Sequence, residues 1–338
     1  MPILLADVGG TNIRFSILEN DKISEIEYYK TSDFKNIETA LESYLQKVNK
    51  QPQKMVLGVA GLIQNGIAQL TNADFKISQP QLESIYPKTK IILVNDFILQ
   101  GYGILKTNEK DLYLLNGTNT PQIGNKIVLG PGTGLGSCFL IPNATGFTVL
   151  SSESGHTTLA PITPNQQKIL AEISKEEMPL SFEDIISGSG LCRLYQAILK
   201  IQQFAPDSSW LNELEEMKTA FSIRSLKEAS FMPLRPKEIT LLAEQEDEIA
   251  LLTFWYFFEF LGIYASNLAL TIKSEGGVYL VGNLLNQSTI RSLLIKSNFK
   301  KFFHMKQIFA SYLKNIPVYL VEKPDIQIQG LIYLAKTL

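Results

Sequence analysis

The sequence predicts an α/β protein with two domains, or with one domain that contains a deep cleft. Its 338 residues exceed the size at which one hydrophobic core usually stops growing. In the N-terminal third, apolar runs and helical periodicity follow the order β, β, β, α, β, hairpin, β, which is typical of an α/β sheet. A glycine and threonine turn between apolar runs occurs twice, in LLADVGGTNIRFSIL and in KIVLGPGTGLGSCFLI, and indicates two versions of one unit.

Composition and charge describe an ordinary globular chain. Hydrophobic residues make up 45% and charged residues 19% of it, and the formal net charge is −2, so no basic excess exists to attract nucleic acid. Cys138 and Cys192 lie in apolar surroundings without metal-ligand spacing, which indicates reduced thiols. The N-terminus lacks a basic and apolar leader pattern. We therefore expect a mature cytoplasmic protein without nucleic-acid or membrane partners.

The first elements are strands followed by one helix. Residues 3–6 predict a strand, the glycines predict a tight turn, and residues 13–18 predict the returning strand of a hairpin. A third β-rich run ends at Thr31. An amphipathic helix is then predicted by the helical spacing of Phe34, Ile37, Leu41, Leu45 and Val48.

Buried strands and a hairpin follow this helix. The continuous apolar runs in KMVLGVAG and KIILVNDF are typical of strands that are covered on both faces. Between them, Asn65 and Gly66 predict a hairpin turn. The N-terminal elements therefore form a sheet with an antiparallel start.

A second unit is predicted to begin after Lys106, where the composition becomes polar and rich in turn residues. The GPGTGLG turn and FTVLSSESGHT supply further strands, and Ser181 can cap a short helix that SGSG ends before another helix begins. Residues 276–285 and 316–323 predict two more strands, and a helix closes the chain. The segment 204–237 is polar and helical in places, without recognisable chemistry.

One apolar segment, residues 250–270, raises the question of a membrane span. Glu259, Asn267 and several small residues interrupt the segment. The sequence therefore favours a buried helix of a large domain over a helix that crosses a membrane.

The DVGGTN turn has the composition of a phosphate-binding segment. Because Gly9 and Gly10 have no side chains, backbone N–H groups can approach phosphate oxygens there, and Thr11 adds a hydroxyl donor. Asp7 has the wrong charge to contact phosphate directly, but its carboxylate suits a Mg²⁺ ion held through water. A structural β-turn with a capping aspartate is the alternative interpretation.

The second turn, GPGTGLG, favours the phosphate interpretation, because two such turns in one chain are less expected by chance. No lysine follows the glycines of the first turn, which excludes a P-loop. That turn leads into a strand rather than a helix, which excludes a dinucleotide fingerprint. The sequence also shows neither zinc-ligand spacing nor a nucleophile elbow.

Two polar residues follow a buried strand in VNDF. Asn95 and Asp96 stand at the strand's exit, where ligand-facing residues of α/β sheets collect. A carboxylate at this place can accept the proton of a hydroxyl that attacks a γ-phosphoryl group, while the amide holds a neighbouring hydroxyl. An Asx turn that closes the strand is the alternative.

Further groups suited to a sugar occur in ESGH and FEDI. Carboxylates paired with a histidine supply both donors and acceptors for sugar hydroxyls, and the candidates are Glu153, His156, Glu183 and Asp184. His156 has an equally acceptable interpretation as a satisfied loop residue. His304, in a basic run, is expected at the surface.

Together these motifs resemble the bacterial glucokinases of the hexokinase, actin and Hsp70 superfamily. The resemblance covers most of the chain and rests on DVGGTN, VNDF, GPGTGLG, ESGHTTLAP, EDIISGSGL, NLAL, GGVYLVGN and IPVYLV, in this order. It implies a two-domain actin-like ATPase (ribonuclease H-like) fold with mixed sheets and an interdomain cleft. The small domain would comprise residues 1–106 and the C-terminal helix 324–338, and the large domain residues 107–323.

The resemblance also implies ATP-dependent, Mg²⁺-assisted phosphorylation of glucose at its 6-hydroxyl, the first step of glycolysis, by a homodimer. Asp96 matches the family's general base. The other implied sugar-binding residues are Asn95, Glu153, His156 and Glu183. The implied ATP-binding residues are Ala6, Asp7, Val8, Gly9, Gly10, Thr11, Gly132, Thr133, Gly134 and Gly282, with Asp7 facing the metal through water.

Three positions depart from the family pattern. Asn283 replaces a second glycine on the adenosine side, where asparagine tolerates a positive φ but takes more space. Ser154 replaces a glycine, and KPDIQIQG replaces a glycine-rich turn near the predicted hinge. The segment 204–237 is longer than usual.

Two other functions remain open at this stage. One altered hydroxyl contact would give a kinase for another hexose or an acylamino sugar, with the same motifs. A sensing protein could bind sugar and nucleotide without turnover, although the intact Asn95, Asp96 and Glu153, and the lack of an appended DNA-binding segment, argue against it.

Overall fold

A computed structural model describes residues 1–70, 75–118, 123–174, 179–204, 219, 235–323 and 325–338. Two compact units are present: unit 1 holds Met1–Glu109, Val149–Ser151 and Lys323–Leu338, and unit 2 holds Lys110–Thr148 and Ser152–Glu322. Most of the segment 204–237 singled out in the sequence lies outside the described residues.

Strands and helices alternate through much of the described chain. The strands are β1 (Ile3–Val8), β2 (Asn12–Glu19), β3 (Lys22–Ile23), β4 (Glu27–Lys30), β5 (Lys54–Val59), β6 (Gly61–Gln64), β7 (Ile67–Leu70), β8 (Lys76–Ser78), β9 (Lys90–Asn95), β10 (Leu112–Asn116), β11 (Lys126–Pro131), β12 (Leu135–Asn143), β13 (Gly146–Ser152), β14 (Val278–Leu280) and β15 (Val318–Val321).

The α-helices are α1 (Ile37–Val48), α2 (Gln79–Ile85), α3 (Asp96–Ile104), α4 (Pro164–Ile173), α5 (Gly188–Phe204), α6 (Pro236–Glu244), α7 (Glu248–Ile272), α8 (Asn283–Asn286), α9 (Ser288–Lys296), α10 (Phe299–His304), α11 (Ala310–Asn315) and α12 (Ile326–Thr337). Short 3₁₀ helices cover Thr31–Asp33, Glu109–Asp111, Ser154–His156 and Gln307–Phe309. This mixture of helices and mixed sheets confirms the predicted α/β class.

Unit 1 contains a mixed sheet in the order β3-β2-β1-β5-β9, with β4 also paired to β2. The β1 and β2 strands form the predicted antiparallel hairpin, and β5 and β9 lie parallel to β1. Helix α1 packs on one face of this sheet with the side chains of Leu4, Ala6 and Val8. Leu5 and Val56 point to the opposite face, which α3 and α12 cover, so these strands are buried on both faces as predicted.

The predicted Asn-Gly hairpin is also confirmed. It joins β6 to β7, which form a second, three-stranded sheet with β8. Asn65 and Gly66 have φ values of 51° and 72°, and two successive positive φ angles define a turn whose twist suits a two-residue hairpin.

Glycines allow α3 and α12 to pack closely. A Cβ atom on Gly330 would lie 1.9 Å from the carbonyl oxygen of Leu99, and one on Gly103 would lie 2.1 Å from that of Ile326. Each glycine therefore admits the backbone of the other helix, and this contact attaches the C-terminal helix α12 to α3.

Unit 2 repeats the hairpin arrangement of unit 1. Its sheet has the order β10-β15-β14-β11-β12-β13. Strand β11 pairs antiparallel with β12 across the second glycine and threonine turn, and parallel with β14. Strand β14, in turn, lies parallel to β15. The similarity of the two turns in sequence therefore corresponds to a similar local topology.

Helix α7 lies at the centre of the unit 2 core. Its length and apolar composition would suit a membrane span, but its apolar segment is 100% buried among the described residues. Its Glu259 accepts hydrogen bonds from Gln166 Nε2 at 2.8 Å and from Asn298 Nδ2 at 3.1 Å. The prediction of a buried helix over residues 250–270 is therefore confirmed.

Two local predictions were wrong, and one predicted strand is shorter than expected. Ser181 caps a turn rather than a helix, because its hydroxyl and amide bind the Asp184 carboxylate, and the helix begins only at Gly188. The strand predicted over residues 276–285 ends at Leu280 and gives way to α8. His304 is partly buried rather than on the surface, because its Nε2 lies 2.7 Å from Asn116 Oδ1.

We predict that Gly330→Ala lowers the free energy of unfolding. Alanine usually stabilises a helix relative to glycine, by about 1 kcal/mol. Here, however, its methyl group would meet the Leu99 backbone, and overpacking of this kind costs about 1–3 kcal/mol. Urea unfolding at neutral pH measures the balance, with Gln329→Ala as the control on the same helix. A Gly330→Ala protein more stable than wild type would contradict this packing.

Candidate functional site

The carboxyl ends of three parallel strands meet at one edge of the unit 1 sheet. Val8 of β1 is in register with Val59 of β5, which is in register with Asn95 of β9. The segments after these strands therefore emerge side by side. The DVGGTN turn and the Asn95–Asp96 pair, predicted separately from the sequence, lie at this same edge.

Backbone hydrogen bonds fix the first glycine and threonine turn. The amide of Gly9 donates to the Asn12 carbonyl at 2.9 Å. Thr31 donates from its hydroxyl to the Gly9 carbonyl at 2.7 Å and from its amide to the Thr11 carbonyl at 3.0 Å. Because these bonds hold the carbonyl oxygens of Gly9, Thr11 and Asn12, the turn has a defined shape, and Thr11 is exposed to solvent.

Asp7 pairs with an arginine on the neighbouring strand. Its Oδ2 accepts a hydrogen bond from Arg14 Nη1 at 3.1 Å, and the two residues are direct partners in the β1–β2 register. The same guanidinium lies 3.7 Å from Asp325 Oδ1 and stacks 5.6 Å from the ring centre of Tyr28. Arg14 therefore connects the strand end to the start of the C-terminal helix.

Burial governs the charge of Asp7. Loss of solvent raises the pKa of this carboxyl above its usual value, while the charge and hydrogen bond of Arg14 act in the opposite direction, and the Asp325 charge raises it further. The net shift of this pKa is upward, so keeping Asp7 ionised at neutral pH lowers the free energy of unfolding. Such a cost is typical of functional positions.

Asn95 and Asp96 occupy the start of α3. Asn95 Oδ1 accepts from the Phe97 amide at 2.9 Å, and its Nδ2 donates to the Gly61 carbonyl at 3.1 Å. Asp96 is the first residue of the helix, and its Oδ1 accepts from the Phe97 amide at 2.9 Å. Asn95 therefore makes the Asx-type cap that the sequence left open as an alternative, and this cap fixes the backbone that carries Asp96.

The second turn, residues 132–134, lies against two other parts of unit 2. The Gly132 amide donates to the Gly134 carbonyl at 2.8 Å, and the amide of Gly188, at the start of α5, donates to the Gly132 carbonyl at 2.8 Å. Gly282 has a φ of 123°, and a Cβ there would lie 2.9 Å from the Pro131 carbonyl oxygen. The structure thus brings Gly282 beside Pro131, the residue that precedes the second turn.

Glu183 links this turn to the residues predicted for sugar binding. Its Oε2 accepts from the Leu135 amide at 2.7 Å, and a Cβ on Gly134 would lie 2.7 Å from the same oxygen. Its Oε1 lies 3.9 Å from His156 Nε2. The amide of His156 donates to the Glu153 carbonyl at 3.0 Å. Three predicted sugar ligands of unit 2 are therefore grouped beside its glycine turn.

Asp184, the other carboxylate of FEDI, has a structural role. Burial raises its pKa, but hydrogen bonds from Ser181 and Arg193 outweigh burial, so the net pKa is lowered. Arg193 Nη1 lies 2.5 Å from Asp184 Oδ1. This carboxylate therefore stabilises the turn that carries Glu183.

The structure adds residues that sequence reasoning missed. Arg14 could have been found from the hairpin register, because the residue opposite Asp7 follows from a tight turn. Asp325, which lies near Arg14, and Tyr264, whose hydroxyl contacts that of Ser154, left no local sequence pattern, since their partners are remote in the chain.

Two of the departures from the family pattern have a structural explanation. Asn283 is the first residue of α8, so its backbone is helical and needs no glycine. Asp325 has a φ of 53°, in the left-handed region that glycine adopts freely and aspartate tolerates. An aspartate can therefore stand where the family has a glycine-rich turn.

We predict that Asp7→Asn raises the free energy of unfolding at pH 7. The folded-state pKa of Asp7 lies above its unfolded value of 3.8, so the carboxyl contributes stability below pH 3.8 that is lost as the pH rises through the folded pKa. The difference in the free energy of unfolding between Asp7→Asn and wild type should therefore become smaller as the pH falls toward 3.8. Urea unfolding at several pH values tests this, with exposed Asp33→Asn as control. Lower stability of Asp7→Asn at pH 7 would show that Arg14 outweighs burial.

Known proteins resemble this chain along its whole length. The sequence model of the family described as Glucokinase matches residues 4–338. A curated glucokinase of Chelativorans sp. (strain BNC1) is 31% identical over 340 residues, which span 99% of this chain and 92% of that relative.

Solved structures agree in fold. The crystal structure of a glucokinase from an Antarctic psychrotroph is 29% identical and superposes with a TM-score of 0.78 over 99% of both chains. That of a Balamuthia mandrillaris glucokinase in complex with glucose has a TM-score of 0.79, at 22% identity, over 99% of this chain and 93% of the other. Together with the family match, these findings show that the chain belongs to the glucokinase family.

Proposed function

We propose that this protein transfers the γ-phosphoryl group of ATP to the 6-hydroxyl of glucose. The observation that carries the proposal is the common sheet edge of unit 1, where the Gly9–Thr11 turn and Asp96 follow strands in register. Phosphoryl transfer needs an anion-binding backbone and a nearby proton acceptor, and this edge supplies both. Membership of the glucokinase family supports glucose as the acceptor.

Asp96 is the proposed general base. It accepts the proton of the 6-hydroxyl as that oxygen attacks the γ-phosphorus in line, and the bond to the β–γ bridging oxygen breaks with ADP as the leaving group. The position of Asp96 is held by the Asn95 cap and by the Phe97 amide. A carboxylate fixed in this way loses little freedom on binding the sugar.

The remaining proposed roles follow the geometry of each unit. Glu153, His156, Glu183 and Asn95 bind the other sugar hydroxyls, with Glu183 and His156 able to act as acceptor and donor. Residues 6–11 and 132–134 form the two phosphate-binding turns, in which the amides of Gly10 and Thr11 and the hydroxyls of Thr11 and Thr133 donate to the phosphates of ATP, since the Gly9 and Gly132 amides already donate within their turns. Gly282 is the proposed residue on the adenosine side, where its φ of 123° and the close Pro131 carbonyl oxygen both favour glycine.

The residues around Asp7 fit a Mg²⁺ ion held through water. Arg14 donates a hydrogen bond to Oδ2 of Asp7, and among the described residues no group donates one to Oδ1. One carboxylate together with substrate phosphates and water is the usual protein environment of Mg²⁺, and no cluster of three side-chain ligands is found among the described residues. When bound, the ion would neutralise charge on the transferring phosphoryl group.

We further propose that the protein is a cytoplasmic homodimer that starts the breakdown of glucose in glycolysis. The cytoplasmic location is supported by Cys138 and Cys192, which form no disulfide bond. The homodimer rests on the family resemblance.

An assay that couples ADP release to a detectable signal tests the function directly. Wild-type protein with ATP, Mg²⁺ and glucose should release ADP and form glucose 6-phosphate, at a higher kcat/KM than with mannose, fructose or N-acetylglucosamine. A higher kcat/KM for another sugar would revise the substrate. Saturable glucose binding without ADP release would instead support a sensing protein.

We predict that Asp96→Asn lowers kcat roughly 100- to 10,000-fold, the range expected for loss of a general base. The amide keeps a group of the same size at the start of α3, so the glucose dissociation constant should change little. Steady-state kinetics and calorimetric glucose binding measure the two quantities. Asp33→Asn, an exposed substitution in unit 1, is the matched control. Turnover near that of wild type would rule out Asp96 as the base.

A further inference from the structure

A chain of three hydroxyl groups lies beneath the turn that carries Glu153 and His156. Ser154 Oγ lies 2.7 Å from Ser137 Oγ and 2.8 Å from Tyr264 Oη. Ser137 belongs to β12 and Tyr264 to α7, and their exposed fractions are 1% and 0%. We call Ser137, Ser154 and Tyr264 the hydroxyl chain.

The 3₁₀ turn that includes Ser154 is held closely against β12. A Cβ on Gly155 would lie 2.4 Å from the Leu135 carbonyl oxygen, so the turn backbone packs directly on the strand. The side chain of Ser154 points into the unit, while that of His156 is 56% exposed. The inward hydroxyl therefore fixes a turn whose neighbouring side chains are free to meet a ligand.

Tyr264 also contacts the segment that carries Glu183. The ring of Phe182 packs on the Tyr264 ring with 5.0 Å between their centres. The two segments run antiparallel, because the Glu183 amide donates to the Gly155 carbonyl at 2.9 Å and the Phe182 amide donates to the Thr157 carbonyl at 3.2 Å. One buried side chain thus supports both segments that present the proposed sugar ligands.

A hydroxyl suits this position because it stays neutral. Burial raises the pKa of Tyr264, although Ser137 and Ser154 lower it by hydrogen bonding. The phenol therefore remains protonated at neutral pH and can donate to a serine oxygen. Removal of one member would leave buried hydroxyl groups with fewer partners.

We propose that the hydroxyl chain is a positioning device for sugar binding, in which Tyr264 and Ser154 set the orientation of the Glu153–His156 turn and of Glu183. This inference rests on the proposed function, because it takes these three residues as sugar ligands. It assigns a role to Ser154, which stands where the family resemblance leads one to expect glycine. The effect is expected on sugar affinity and not on the chemical step.

Tyr264→Phe and Ser154→Ala test the proposal, each measured by calorimetric titration with glucose and by steady-state kinetics. Each variant should raise the glucose dissociation constant and KM about 3- to 10-fold, the effect of one hydrogen bond. The kcat and the KM for ATP should stay within about twofold of wild type. In the double variant the effects should be less than multiplicative, because both changes break the same contact.

Tyr256→Phe is the matched control, since Tyr256 is a fully buried tyrosine of the same helix that does not belong to the hydroxyl chain. Ser154→Thr retains the hydroxyl and should keep a glucose affinity close to that of wild type, unlike Ser154→Ala. Circular dichroism and thermal unfolding check that each variant is folded.

The possible results separate the two proposals. If wild-type protein phosphorylates glucose while Tyr264→Phe and Ser154→Ala keep its glucose affinity, the hydroxyl chain is merely structural and the inference is overturned alone. A fall in kcat without a change in affinity overturns it as well. A wild-type protein that neither binds nor phosphorylates glucose overturns the proposed function together with the inference.

Discussion

The parallel register of β1, β5 and β9 is the constraint on which the rest of the site in unit 1 depends. Hydrogen bonding between parallel strands fixes which residues end the strands together, and here Val8, Val59 and Asn95 do so. The chain must then turn at one edge of the sheet. Gly9 and Gly10 make a turn whose backbone an anion can reach, while the third strand leads directly into α3 and presents Asp96. Strand pairing therefore places the proposed anion-binding turn and the Asp96 carboxylate at the same edge of the sheet.

Unit 2 contains a similar hairpin with a glycine turn, but different side chains surround the turn. Its hairpin β11–β12 again places a glycine turn at the end of a strand that has a parallel neighbour. The difference lies in Glu183, whose carboxylate is hydrogen-bonded to the Leu135 amide directly after the turn and lies near His156. The proposed phosphate-binding turn and the proposed sugar ligands of unit 2 are thereby connected through Glu183.

Local sequence patterns explain which parts of the fold and of the candidate site could be predicted from the sequence. The hairpin at Asn65 and Gly66, the helix over residues 37–48 and the buried strands leave short-range patterns of turn residues and apolar spacing. The strand expected within residues 276–285 is present but short, because the chain turns at Gly282 and α8 begins at Asn283, which the sequence pattern did not indicate. The contacts of Arg14 with Asp325, of Tyr264 with Ser154 and of His304 with Asn116 could not be predicted, since side-chain contacts between distant segments leave no periodic signal.

We propose that Asp96 is the group that meets the sugar's reactive hydroxyl, and a crystal structure with glucose bound would show this contact. We expect a carboxylate oxygen of Asp96 to lie within hydrogen-bonding distance, about 2.5–3.0 Å, of the 6-hydroxyl oxygen. We also expect Glu153, His156 and Glu183 to contact other hydroxyls of the same sugar. Glucose bound with its 6-hydroxyl on a different side chain, and with Asp96 out of reach, would show that Asp96 is not the base.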